Sequence, residues 1–184
     1  MSATEPSQEY DEEERIVAEL ELLGVRYLSR RDSERAARVR RPELLLADLV
    51  RQPSARVRAA VIAVLLAHPE YAAAVPAALE RLGPAEQQTL RLFYTAAALL
   101  QQEHAARLRP FVSGPLLPDR FAAELRLPTT ASPRERLATL GRRHQQQTQA
   151  VVNWVGTYES VARHLLRSWE IAYRLSPMAR SDPR

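Results

Sequence analysis

The chain carries a restricted set of reactive side chains, because its 26 basic residues are all Arg and it contains neither Lys nor Cys. Schiff-base lysines, phosphate-loop lysines and thiol nucleophiles are therefore excluded. The five Gly are isolated from one another, so no glycine-rich loop is present to hold a phosphate. The four His lie in separate predicted elements, without the spacing of metal ligands. We therefore predict neither a metal site nor a cofactor.

One pair of residues comes close to the motif of a helical ribonuclease of the HEPN type. That motif places a His a few residues after an Arg, so that both side chains reach one phosphodiester. Here Arg136 and His144 have seven residues between them, and Leu137 stands where a polar residue is usual. We predict that the chain is not an enzyme, and ribonuclease activity stays the less favoured alternative.

Two clusters of Arg are the most prominent polar feature of the sequence. The first cluster falls within residues 26–41 and the second within residues 107–143. Guanidinium groups bind phosphates and carboxylates in a forked geometry, so a basic cluster indicates nucleic acid, an acidic protein surface or a solvated face. Few aromatic residues are interleaved with these Arg, namely Tyr27, Phe111 and Phe121, which favours a protein partner over nucleic acid. The candidate partner-binding residues are Arg30, Arg31, Arg35, Arg38, Arg40, Arg41, Arg142 and Arg143.

The formal net charge of +4 conceals a strong segregation of charge along the chain. Residues 1–25 contain eight acidic residues and one Arg, whereas residues 26–58 contain ten Arg and four acidic residues. Such a distribution indicates either an anionic partner or an intramolecular match between the acidic head and the basic flank. The sequence alone leaves both alternatives open.

The elements that position these residues are predicted to be helices, since apolar residues recur at helical spacing and nowhere alternate for the length of a strand. The sequence predicts an all-α, compact helical bundle with a HEAT-like helix pair over residues 53–82. Residues 1–10 are predicted to form a disordered acidic head, residues 11–175 a single helical domain, and residues 176–184 a disordered tail. The predicted helices span residues 11–30, 42–50, 55–67, 84–109 and 119–126, with one or two helices over residues 133–175.

Two further patterns indicate how these helices pack. Residues 84–109 include a stretch that is apolar on nearly all sides, which is typical of a central, buried helix. The last predicted helix carries an apolar stripe that includes Trp154, Tyr158 and Trp169, and we expect it to face the core. Residues 32–41 lack any stripe and are predicted to be a solvated connector.

Several phrases of the sequence resemble one family. They are LGVRYLSR (23–30), VRAAVIAVLLAHPE (57–70), LRLFYTAAALLQ (90–101), LLPDRFAAELRLP (116–128) and NWVGTYE (153–159). The chain is similar to an uncharacterised group of small helical bacterial proteins, encoded beside nucleotidyltransferase-like toxins of the type IV toxin–antitoxin kind. The resemblance implies an antitoxin-like protein that binds and restrains the neighbouring enzyme. The better-known antitoxins of that kind begin with a winged helix, which this chain lacks, so autoregulatory DNA binding is not implied.

The first residues and two uncharged apolar stretches bear on localisation. Residues 1–14 are acidic and polar, unlike a signal or transit peptide. The uncharged apolar stretches, residues 59–69 and 92–102, are too short to cross a bilayer. We therefore expect a cytoplasmic protein without a membrane partner, with nucleic-acid binding as a weak alternative to a protein partner.

Overall fold

A computed structural model describes residues 6–26, 38–148 and 152–175 of the chain, and no strand occurs among them. The predicted all-α class is therefore confirmed. The first half contains α1 (Pro6–Leu22), α2 (Pro42–Arg51), α3 (Ala55–Arg58), α4 (Ala60–Ala67), a 3-10 segment (Pro69–Ala74) and α5 (Val75–Leu79). The second half contains α6 (Pro84–Glu103), α7 (Ala105–Leu108), α8 (Pro133–Thr148) and α9 (Trp154–Leu175).

The centre of the fold is α6, as its sequence predicts. It packs against α4, α8 and α9, and its buried face includes Phe93 and Leu99. Pro84 occupies the first turn of α6 and Glu86 accepts the Gly83 N–H at 2.9 Å, so both residues favour a helix start here. The buried apolar side chains of the described residues join one cluster, to which the central helix contributes.

The helix α1 has different limits from those that we predicted. It begins at Pro6 rather than residue 11, so it extends into the segment 1–10 that we predicted to be disordered, and residues 1–5 lie outside the described ranges. It ends at Leu22 because Gly24 adopts a φ of 76°. The N–H groups of Gly24 and Val25 then bond to the carbonyls of Glu21 and Leu20, which closes the helix end. Residues 27–30 of the predicted helix also lie outside the described ranges.

The segment that we predicted as a HEAT-like pair consists of helical pieces of unequal length. Ala59 separates α3 from α4, and the two prolines that follow limit the next pieces to a 3-10 segment and the five-residue α5. Ala55–Ala67 and Pro69–Leu79 meet at 115°. No single helix in the described part of the chain has the length and apolarity of a membrane span, although this bent pair reaches them jointly.

The C-terminal part forms two helices rather than one, since α8 ends at Thr148 and α9 begins at Trp154. The predicted short helix over residues 119–126 is wrong. Residues 121–126 form a hydrogen-bonded turn, in which Leu127 N–H bonds to the Ala122 carbonyl and Arg126 adopts a φ of 50°. Residues 176–184, which we predicted to be a disordered tail, lie outside the described residues.

Candidate functional site

Arg40, near the end of the first Arg cluster, is held inside the fold. Its backbone N–H and its Nε both donate to the Glu19 carboxylate at 2.7 Å, and its Nη1 donates to Asp48 Oδ2 at 2.5 Å. Glu19 is only 1% exposed, so this pairing neutralises a carboxylate that α1 has buried. The guanidinium of Arg40 is thus committed to two internal carboxylates, which disfavours its predicted role in binding a partner.

The neighbours of Arg40 are oriented outward. Arg38 and Val39 are exposed, and the Arg41 side chain is 78% exposed with its Nε 2.9 Å from Glu43 Oε1. These side chains therefore remain accessible to a partner, whereas the predicted partner-binding residues Arg30, Arg31 and Arg35 lie outside the described residues.

The two candidate partner-binding residues of the second Arg cluster, Arg142 and Arg143, also differ in their exposure. Arg142 is exposed, and its Nη2 donates to Thr139 Oγ1 at 3.1 Å. Arg143 is half-buried, and its Nη1 donates to the Leu125 carbonyl at 2.5 Å. Arg143 thus links α8 to the turn at residues 121–126 and lines a polar pocket there, so Arg142 is the more accessible of the two.

A groove of about 650 Å³ lies between α3 and the start of α9. Apolar side chains from Ala55, Ala59 and Val161 form part of its lining. Its polar lining consists of Arg56, Asn153, Thr157, Ser160 and His164. The sequence analysis missed this groove, although a signal exists: Thr157, Ser160 and His164 repeat at helical spacing beside the aromatic stripe.

The aromatic stripe of α9 faces the core, as expected for Trp154 and Tyr158, whereas Trp169 is partly buried. His144 of α8 stacks on Trp154 with the ring centroids 3.6 Å apart, and its Nδ1 lies 2.6 Å from the Tyr158 hydroxyl. Burial, and secondarily the charge of Arg58, lowers the pKa of His144 to about 4. Burial also raises the pKa of Tyr158. At neutral pH the Tyr158 O–H therefore donates to a neutral His144.

The two residues considered for ribonuclease chemistry are both engaged within the fold. Arg136 Nη2 donates to Asp119 Oδ2 at 2.6 Å, and the Arg136 side chain is only 11% exposed. His144 is 2% exposed. A phosphodiester cannot contact both groups without a rearrangement of α8, so this arrangement does not favour the ribonuclease alternative.

Residues 6–26, 38–148 and 152–175 contain no cluster of three His, Asp or Glu side chains placed to bind a metal ion. No family model matches the chain, and no curated protein or solved structure matches it.

Proposed function

We propose that the chain is a non-catalytic, cytoplasmic binding protein that restrains a nucleotidyltransferase-like enzyme encoded beside it. The observation that carries the proposal is the alternation around Arg40: the Arg40 guanidinium is held by internal carboxylates, while Arg38 and Arg41 on either side are exposed. Because Arg40 fixes the backbone, its two neighbours are presented to a partner with little further loss of conformational entropy.

The chemistry of such a partner matches exposed guanidinium groups. A nucleotidyltransferase binds Mg²⁺ through clustered carboxylates, so the mouth of its active site is negative before metal and nucleotide enter. Arg side chains stay charged at any physiological pH and can bind a carboxylate through two parallel hydrogen bonds. A basic surface laid across that mouth would block entry of the nucleotide.

Part of the positive charge of this basic surface is neutralised by a carboxylate of the chain itself, which limits how strongly the surface attracts anions in general. Glu43 lies beside Arg41. The Arg41 side chain is 78% exposed and the Glu43 side chain only 11%, so a partner's carboxylate would compete with a largely buried internal one for this guanidinium. The exposed Val39 between the two Arg adds an apolar contact of the kind that lies at the centre of protein interfaces.

The test is co-expression of the neighbouring enzyme with wild-type chain and with an Arg38→Glu, Arg41→Glu double variant. The wild type should reduce the toxicity of the enzyme and co-purify with it, and the double variant should lose both effects while retaining its helical circular dichroism. The matched control is Arg109→Glu, Arg134→Glu, which reverses the same charge at two exposed Arg elsewhere. A double variant that protects as well as the wild type contradicts this surface, and chains that never associate contradict the partner.

Binding to nucleic acid is separated from this proposal by its salt dependence. Contacts to phosphates release counterions, so affinity would fall steeply as salt increases, with a slope that reports the number of contacts. We expect weak, non-specific binding that is lost at physiological salt. Tight, sequence-selective binding to DNA or RNA at that salt would replace the protein-partner proposal.

A further inference from the structure

A second cavity, of about 390 Å³, lies between α8, the start of α6 and the turn at residues 121–126. Its lining is mainly polar and comprises Gln88, Glu124, Leu125, Arg126, Arg143 and Gln147. Two guanidinium groups and two carboxamides therefore surround one space. None of these side chains belongs to the partner surface at Arg38 and Arg41.

The charge balance of this pocket favours an anion. Its carboxylate, Glu124, lies 3.2 Å from Arg91 Nε, so an arginine outside the lining already balances it. The positive charges of Arg126 and Arg143 then remain for an occupant. The Gln88 side chain donates to Gln147 Oε1 at 3.2 Å, which leaves the Gln147 N–H₂ as an additional donor.

Arg143 is already oriented for binding. Its Nη1 is fixed by the Leu125 carbonyl at 2.5 Å, and a guanidinium has five N–H donors, so four remain. Because the side chain is half-buried and held, less conformational entropy is lost when it binds a ligand than for a freely rotating surface Arg.

Arg126 occupies a backbone conformation in which an arginine is unexpected. Its φ of 50° is the only positive φ of a non-glycine residue within the described ranges. It ends the turn at the position where Gly or Asn is usual, and Arg126 N–H bonds to the Ala123 carbonyl. A glycine would adopt this conformation without strain. A strained residue whose side chain lines a pocket is the pattern found at binding sites, where the side chain is needed despite the backbone.

We propose that this pocket binds a phosphate group, either as inorganic phosphate or as a phosphate monoester. Guanidinium and carboxamide donors approach from α6, α8 and the turn, so they come from several directions. A tetrahedral oxyanion can accept from all of them, whereas a flat carboxylate accepts in one plane. The inference does not depend on the proposed partner function.

The experiment is a titration of the full chain with each of three ligands: inorganic phosphate, O-phosphoserine and acetate. Binding is measured by calorimetry and by the NMR signal of the Arg143 Nε–H. Phosphate or phosphoserine should bind and shift this signal, and acetate should bind more weakly. Tighter binding of phosphoserine identifies a phosphate monoester, and tighter binding of phosphate identifies the free ion. Equal or tighter binding of acetate contradicts the proposal, as does the absence of binding at millimolar ligand.

Variants of the two arginines make the test specific. Arg143→Gln should weaken phosphate binding by about tenfold or more, since it removes charge-assisted hydrogen bonds. Arg126→Gly should weaken binding similarly while raising the melting temperature, because glycine relieves the strain. Arg134→Gln, which removes a charge from an exposed position on α8 outside the pocket, should change neither. Equal losses in all three variants would indicate non-specific attraction and overturn the assignment.

Discussion

Trp169 donates its indole N–H to the Gly24 carbonyl at 3.0 Å, across 145 positions of the sequence. The contact joins the end of α1 to the last third of α9. His68 adds a second contact to the same helix end, because its Nε2 lies 2.9 Å from the Leu23 carbonyl. The end of α1 is therefore fixed by side chains from two distant elements, which makes its backbone conformation important for the whole fold.

Gly24→Ala should destabilise the protein by about 1 kcal/mol, because an alanine at a φ of 76° is strained. Space is not the cause, since an added Cβ would lie 3.7 Å from Trp169 Nε1, an ordinary contact. The control is Gly24→Asn, because asparagine adopts a positive φ at less cost than alanine. Chemical denaturation should show a lower midpoint for the first variant and a smaller decrease for the second. Equal midpoints for both variants would contradict a role for the positive φ.

Gly141→Ala should destabilise the protein by steric overlap instead. Gly141 lies inside α8, and an added Cβ would be 2.4 Å from Val155 Cγ2 and 3.1 Å from the Val155 N. We expect a loss of about 1–3 kcal/mol, as for other overpacked cores. Adding Val155→Ala removes the closest atom and should recover part of the loss in thermal denaturation. If the double variant is no more stable than Gly141→Ala alone, contact between α8 and α9 is not the reason.

The sequence predicted those parts of the fold that depend on local pattern. The apolar stretch of α6 and the aromatic stripe of α9 follow a helical period, so their burial could be read from spacing alone. The limits of α1 and the start of α9 at Trp154 could not. Gly24 is a residue that ends helices, but the apolar pattern continues beyond it at helical spacing to Tyr27, so local pattern alone did not decide where the helix ends.

The candidate site was harder to predict than the fold, because identical residue types have different roles in it. Arg40 and Arg41 are adjacent and chemically the same, yet one is bound to Glu19 and the other is 78% exposed. Charge segregation offered two alternatives, an anionic partner or a match between the acidic head and the basic flank. The Arg40–Glu19 pair realises the second alternative at one position, through a carboxylate 21 residues away whose burial no local pattern reveals.

Arg40→Ala should cost about 3 kcal/mol of stability, because it leaves the buried Glu19 carboxylate without its cation. Arg41→Ala should cost less, about 1 kcal/mol, because the Arg41 side chain is 78% exposed, although its partner Glu43 is only 11% exposed. Denaturation in urea at pH 7 measures both. Adding Glu19→Gln to Arg40→Ala removes the stranded charge and should recover part of the loss. A similar cost for the two single variants would contradict the structural role of Arg40.

His144 should make the protein less stable as pH falls from about 6.5 to about 4. Burial, with a smaller effect from Arg58, lowers its pKa in the folded state to about 4, whereas in the unfolded chain it titrates near 6.5. Between these values the unfolded state binds one more proton than the folded state, so each step toward acid favours unfolding. The full effect is roughly 3 kcal/mol, reached below pH 4.

His144→Asn retains an acceptor for the Tyr158 hydroxyl but cannot titrate in this range. Urea denaturation at several pH values should therefore show a shallower decline for this variant than for the wild type, even though the smaller side chain lowers its stability at every pH. Parallel curves for the two proteins over this range would mean that His144 is already protonated in the folded state, and that its stacking on Trp154 is a cation–π contact rather than the packing of a neutral ring.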